Sequence, residues 1–201
     1  MNIPGHAGLA LAAAYSIQSL INKLRSPRQR RAALAASPNA AAGTPANIAR
    51  PNLALDYRLV ILGSLLPDII DKPLAFWLAP ELVNHATRSI GHTLLFNAAL
   101  LSVALFLGQR IGYGRPLTLA LASFSHLLLD SIWQNPVTLW WPLYGWQFPM
   151  GTTTLDEWMR FMTSFRIRSL PEMLGLVSLS WFAIRVIWRR SAFQFIKTGH
   201  V

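Results

Sequence analysis

The chain has 201 residues, 53% of them hydrophobic and 13% charged, with a mean hydropathy of +0.35 and a formal net charge of +10. That balance fits poorly with a soluble globule and points to a multi-pass membrane protein, in which a basic excess more often belongs to cytoplasmic loops than to a nucleic-acid surface. The absence of cysteine excludes a disulfide framework, a thiolate metal site and a thiol nucleophile.

Five helical segments are legible in chain order, and the pattern is all-α, with no strand-like alternation and no internal repeat. The first runs over about 3–24, is Ala-rich, and is a retained helix rather than a cleavable leader, because its basic residues follow the apolar stretch. Residues 26–52, "SPRQRRAALAASPNAAAGTPANIARPN", read as a disordered basic linker within a single domain of 1–201. The second helix covers about 56–71, with "KPLAFWLAP" as a re-entrant or interfacial continuation. The third covers 92–108, and a Gly/Pro turn, "QRIGYGRP", leads to the fourth at about 116–133. The tryptophans of "LWWPLYGW" have the composition of an aromatic belt. Trp158, Phe161, Met162 and Phe165 make one stripe of an amphipathic helix, 154–169, lying on the outer leaflet, with Arg160, Arg166 and Arg168 for lipid phosphates. The fifth helix is expected at about 171–188.

Five crossings place residues 23–58, 109–115 and the tail from Arg185 on one side of the membrane. These hold 13 of the 18 basic residues, leaving Lys72, Arg88, Arg160, Arg166 and Arg168 on the other. The positive-inside bias therefore puts the N-terminus outside and the C-terminus in the cytoplasm.

With that topology the ionisable residues gather at one depth. His6 lies at the outer end of the first helix, Asp68 and Asp71 near the outer end of the second, and His92 at the outer start of the third. His126 and Asp130 fall one turn apart in "FSHLLLDSIW", roughly 16 and 22 Å above the cytoplasmic turn at 1.5 Å per residue. An ionisable group in lipid costs about 2.5–3.5 kcal/mol, so something must offset it. Imidazole and carboxylate are the ligands zinc takes when thiolates are absent, and a bound metal would neutralise the carboxylates and compensate their desolvation. The competing reading makes each residue a helix–helix hydrogen-bonding group, with Pro67 a simple kink and Asp68 a cap. His85 and His200 read as solvated surface.

"GHAGLA", "GSLLPDIIDKP", "RSIGHTLLF", "SHLLLDSIW" and "LWWPLYGW", in this order, resemble the YdjM-like family of inner-membrane, metal-dependent hydrolases. The resemblance implies a bacterial inner-membrane location. Thr87 stands where that family often has a first histidine, while Arg88 and His92 are kept. The order early His, Asp, His, then H-x-x-x-D is also similar to zinc-dependent phospholipases C and single-strand-specific nucleases. By that likeness His6, Asp68, His92, His126 and Asp130 fall on metal-ligand positions. The further His and acidic ligands of those enzymes have no counterpart before Asp156, which implies one or two ions rather than three.

The sequence thus suggests a metal-dependent phosphoesterase acting on a lipid or lipid-linked substrate at the outer leaflet. Zn²⁺ is the expected cofactor, Asp71 the expected general base, and Arg88 the group that holds anionic oxygens. Rivals are a non-catalytic bundle stabilised by metal, a module using the basic 23–50 segment to bind a cytoplasmic regulatory protein or nucleic acid, and a transporter, for which no broken-helix repeat is visible.

Overall fold

The computed structural model describes residues 3–24, 55–112, 114–163 and 170–199, and among them every regular element is helical. The long helices are α1 (Ile3–Leu24), α2 (Tyr57–Pro73), α3 (Leu94–Ile111), α4 (Gly114–Leu129) and α7 (Leu170–Trp188). Short ones are α5 (Pro136–Leu139), α6 (Leu155–Thr163) and α8 (Ala192–Thr198). The segment 26–52, together with Arg166, Arg168 and the end of the amphipathic stripe, lies outside the described residues.

Three boundaries differ from the sequence expectation, each for a local reason. His92 does not open a helix. It ends a 3₁₀ turn, Ile90–His92, and Thr93 then caps α3 by accepting a hydrogen bond from the Phe96 N–H at 3.0 Å. The fourth helix stops at Leu129 instead of 133, because Ser131 turns left-handed at φ 54°. Asp130 still donates its backbone N–H to the His126 carbonyl at 2.8 Å, so the one-turn relation survives. The continuation after α2 is a π-helical turn, Leu74–Leu78.

The five long helices pack in the order α7–α1–α2–α4–α3, with α2 central. Of these, α3 and α7 are long and apolar enough to cross a membrane, and only 17% and 22% of those spans is buried, unlike the core helices of soluble proteins. Five crossings were expected; among the described residues two helices have the length and hydropathy of a membrane span. At 16 and 17 residues and 1.5 Å per residue, α4 and α2 reach only about 24–26 Å.

One end of the bundle is apolar and the other polar. Ala10, Leu11 and Ala14 of α1 pack on Tyr57 and Val60 of α2 and on Phe182 and Val186 of α7. At the opposite end, beyond the ionisable residues, Ala75, Val83, Ala86 and Phe148 form a second apolar cluster. Asn84 ties its two loops together, donating from Nδ2 to the Phe148 carbonyl at 3.1 Å and accepting from the Gly151 N–H at 2.9 Å. A reciprocal capping box starts α6: Thr154 N–H donates to Glu157 Oε2 at 2.9 Å, and Glu157 N–H to Thr154 Oγ1 at 3.3 Å.

At the apolar end, Asp56 caps α2 and joins it to α8. Its carboxylate accepts from the Arg58 N–H and guanidinium at 2.7–3.1 Å, and Arg58 Nη1 reaches the Ile196 carbonyl at 2.7 Å. Burial pushes the Asp56 carboxyl up, but the Arg58 hydrogen bonds outweigh it and hold the group below its ordinary 3.8. The folded value is the lower one, so the stabilisation is complete above pH 3.8 and is lost as pH falls through the depressed value. Asp56→Ala should cost about 0.5–2 kcal/mol, read as a lower unfolding temperature in detergent near neutral pH, and should remove that acid-sensitive component.

Candidate metal centre

The polar end of the bundle brings together every candidate ligand expected from the sequence. His6 comes from α1, Asp68 from α2, His92 from the 3₁₀ turn, His126 from α4, and Asp130 from the residue after it. All three imidazoles are buried. His92 Nε2 and His126 Nε2 stand 3.1 Å apart. Asp68 Oδ1 is 3.8 Å from the first and 3.9 Å from the second, and ligand atoms of these three residues all lie within 4.8 Å of one another. Asp130 adds Oδ2 at 3.7 Å from His92 Nε2 and Oδ1 at 3.9 Å from His6 Nε2. The His6 ring stacks on His126 with centroids 4.1 Å apart, and its buried Nδ1 has no hydrogen-bond partner among the described residues.

The outer partners of the imidazoles decide what the inner nitrogens are. His92 Nδ1 is 2.7 Å from Asp71 Oδ2, and His126 Nδ1 is 2.6 Å from the Ser64 carbonyl oxygen. A carboxylate and a carbonyl only accept, so both Nδ1 atoms carry a proton, and in the Nδ1–H tautomer each ring presents an Nε2 lone pair. Two lone pairs facing each other at 3.1 Å repel unless a cation lies between them. Two nitrogens about 2.0–2.1 Å from a tetrahedral zinc would be about 3.3 Å apart, close to the spacing found. An outer carboxylate or carbonyl on each imidazole is the usual support of a metal-ligating histidine. The donor set therefore fits a divalent metal.

Local sequence explains these positions. Pro67 removes one N–H from the helical ladder of α2 in the same turn as Ser64, whose carbonyl receives His126. The turn 88–92 is wrapped around Asp71, whose Oδ2 accepts from the Ser89 N–H at 2.7 Å and the His92 N–H at 3.3 Å, and whose Oδ1 accepts from the Gly91 N–H at 2.7 Å. Only glycine permits that wrap at position 91, since a Cβ there would lie 2.9 Å from the Pro67 backbone.

One expected role changes, and Arg88 gains a partner. Asp71 is wholly buried behind His92, with both oxygens occupied, and does not face the ligand cluster. It therefore orients His92 and shapes the turn, and is not placed to take a proton from water at the ligand atoms. Arg88 binds Asp130 through two N–H groups, Nε to Oδ2 and Nη2 to Oδ1, while its side chain stays 45% exposed. On the opposite flank Lys72 Nζ pairs with Asp68 Oδ2 at 2.5 Å. Sequence reasoning missed Lys72, and also Asn97, which donates to the Gly91 and Thr93 carbonyls and accepts from Ser123 Oγ at 2.8 Å. The signal for Asn97 was one amide inside the apolar run "HTLLFNAALL".

The purified protein should carry one to two divalent ions per chain. His126→Ala should lose most of the metal while the protein still inserts. Asp71→Asn turns an amide N–H₂ toward backbone donors and should weaken metal affinity by about 10–100-fold, measured by competition with a chelator. Unchanged affinity in Asp71→Asn would remove it as the support of His92.

No curated protein and no solved structure matches the chain, so the likeness to zinc-dependent phospholipases C and single-strand-specific nucleases gains no support there. The family model of the YdjM inner membrane protein does match, over residues 1–197, nearly the whole length. The chain belongs to the YdjM inner membrane protein family.

Proposed function

We propose that this inner-membrane protein is a metal-dependent hydrolase that cleaves a phosphoester in a lipid or lipid-linked substrate at the outer leaflet, using one or two zinc ions. The observation that carries this reading is the pair of imidazoles whose Nδ1 protons are committed to Asp71 and Ser64, leaving two Nε2 lone pairs 3.1 Å apart beside two carboxylates. Nitrogen and oxygen ligands without thiolate suit a hydrolytic zinc site. When bound, the metal supplies an activated water and polarises the phosphoryl oxygen.

The chain's own groups then have distinct tasks. Asp71 and Ser64 fix the tautomer and orientation of His92 and His126. Arg88 and Lys72 flank the cluster, balance Asp130 and Asp68, and offer their remaining N–H groups to phosphate oxygens. A water oxygen forms the new bond to phosphorus as the ester P–O bond breaks. Its proton goes to the departing alkoxide, so that the products are an alcohol and a phosphate.

The orientation that suits this chemistry has the N-terminus outside and the C-terminus cytoplasmic, supported by the 13-to-5 split of basic residues. Reporter fusions after residue 40 and at the C-terminus should both give cytoplasmic signals; an extracytoplasmic signal at either overturns the orientation.

In nanodiscs, a panel of phosphate-monoester and phosphodiester lipids should be hydrolysed by the zinc-loaded protein, and chelation should abolish turnover. His126→Ala should reduce it by at least about 10²-fold. Metal retained with no turnover of any phosphoester would leave the ion a structural role.

A further inference from the structure

Asp68 faces two ways. On one side its carboxylate meets His92 and His126; on the other it lines a cleft of about 260 Å³ between α2, the π-helical turn and α6. The rest of the α2 wall is Leu65, Ile69 and Pro73, which with Asp68 and Lys72 fall at three- and four-residue spacing on one helix face. Trp77 and Trp158 close the opposite side, with the Phe76 ring tilted against Trp158 at 5.6 Å between centroids.

Two features of this cleft stand apart from ordinary helix packing. First, the surface lining it is almost wholly apolar, yet two of the lining residues are Asp68 and Lys72, paired at 2.5 Å and each still partly exposed, so a charged pair borders an apolar cleft. An ammonium has three donors, and one bond to Asp68 leaves others for a ligand. Second, the buried Trp158 Nε1 has no acceptor among the described residues, and a buried indole N–H normally has one. Of the two, Lys72 is the partly exposed one and offers its remaining donors to a ligand bearing acceptors, while the Trp158 N–H is buried behind the apolar lining. The walls are otherwise apolar, and Ile69 and Trp77 at the rim are more than half exposed, so the cleft opens sideways from the bundle. Its volume is below the roughly 300–1,000 Å³ of sites that enclose whole small molecules, which suits one segment of a chain whose remainder lies in the bilayer.

We infer that the cleft between α2 and α6 holds the apolar chain of an anionic phosphate lipid, with its phosphate turned toward Lys72 and the His/Asp cluster. This deepens the hydrolase reading and rests on it for the fate of the phosphate, but occupancy of the cleft is separable from turnover. A phosphate-monoester head presents acceptors to Lys72. A choline head places a positive charge beside Lys72 and is disfavoured. The capping box of Thr154 and Glu157 has a purpose in this arrangement, since it sets the first turn of the helix that carries Trp158.

The test is photolabelling of the full-length, zinc-loaded protein in phosphatidylcholine nanodiscs. The probe is phosphatidic acid carrying a diazirine in its acyl chain, and the comparison is phosphatidylcholine carrying the same group. Mass spectrometry should place the phosphatidic acid label on Leu65, Ile69, Trp77 or Trp158, about tenfold above the phosphatidylcholine label, the worth of one charged hydrogen bond. Ile69→Trp, at a half-exposed position where the larger ring can enter the cleft, should remove that label. Lys72→Gln should bring the two probes to equal labelling. Equal labelling of the cleft by both probes in the wild type, or labelling unchanged in Ile69→Trp, overturns the inference. Selective labelling without hydrolysis would uphold the cleft and remove the hydrolase reading; hydrolysis without labelling in the cleft would do the reverse.

Discussion

The arrangement depends on one buried carboxylate. Asp71 sits at the end of α2 with no exposed surface and accepts four hydrogen bonds, three from backbone N–H groups of the turn 89–92 and one from the His92 ring. A carboxylate in the low-dielectric interior is tolerated only when its oxygens are satisfied, and this turn satisfies them. The same bonds set the path of the chain into α3, the tautomer of His92 and the direction of its Nε2. Fold and site are therefore coupled at this residue.

From there the order propagates through polar contacts. Asn97 holds the far side of the turn and joins α3 to α4 through Ser123. Ser64 joins α2 to α4 through His126, and His126 stacks on His6 of α1. Four separate segments are thus connected through hydrogen bonds and ring contacts, while their large apolar side chains point the other way. Leu95, Val103 and Phe106 of α3, Leu121 and Leu128 of α4, and Val177, Ile184 and Ile187 of α7 are all exposed. A bundle with serine, threonine, asparagine and histidine inside and leucine outside is built for an apolar surround, where polar contacts and close packing hold helices together. In water such a surface would be a contiguous apolar patch of the kind soluble proteins avoid.

The division of the bundle into an apolar end and a polar end also separates stability from chemistry. The Ala10–Leu11–Ala14 cluster and the Asp56 cap hold α1, α2, α7 and α8 together at one end. The ligand residues gather at the other. A change in the apolar core can weaken folding without touching the ligand geometry, and a change at the ligands leaves most of the apolar packing in place.

Much of this was readable in the amino-acid order. Apolar runs of helical length showed an all-helical chain, and ionisable residues inside those runs marked the candidate ligands, because groups so costly in lipid need a compensating partner. His6, Asp68, His92, His126 and Asp130 were named from their residue types, their common depth and the likeness of their order to known zinc enzymes. The roles of their neighbours were not readable. Asp71 and Asp68 are the same residue type three positions apart on one helix, and nothing local distinguishes the one facing the cluster from the one behind it. That choice is made by the turn 88–92, which arrives from elsewhere in the chain and surrounds Asp71 with N–H donors. Arg88 likewise found Asp130 only when the turn 88–92 was brought beside the end of α4, whereas Lys72 and Asp68 stand one turn apart on α2 and pair within that helix. Sequence by itself determined which residues are too costly to leave unpaired; the tertiary structure decided which of them pair with each other and which remain facing inward as ligands.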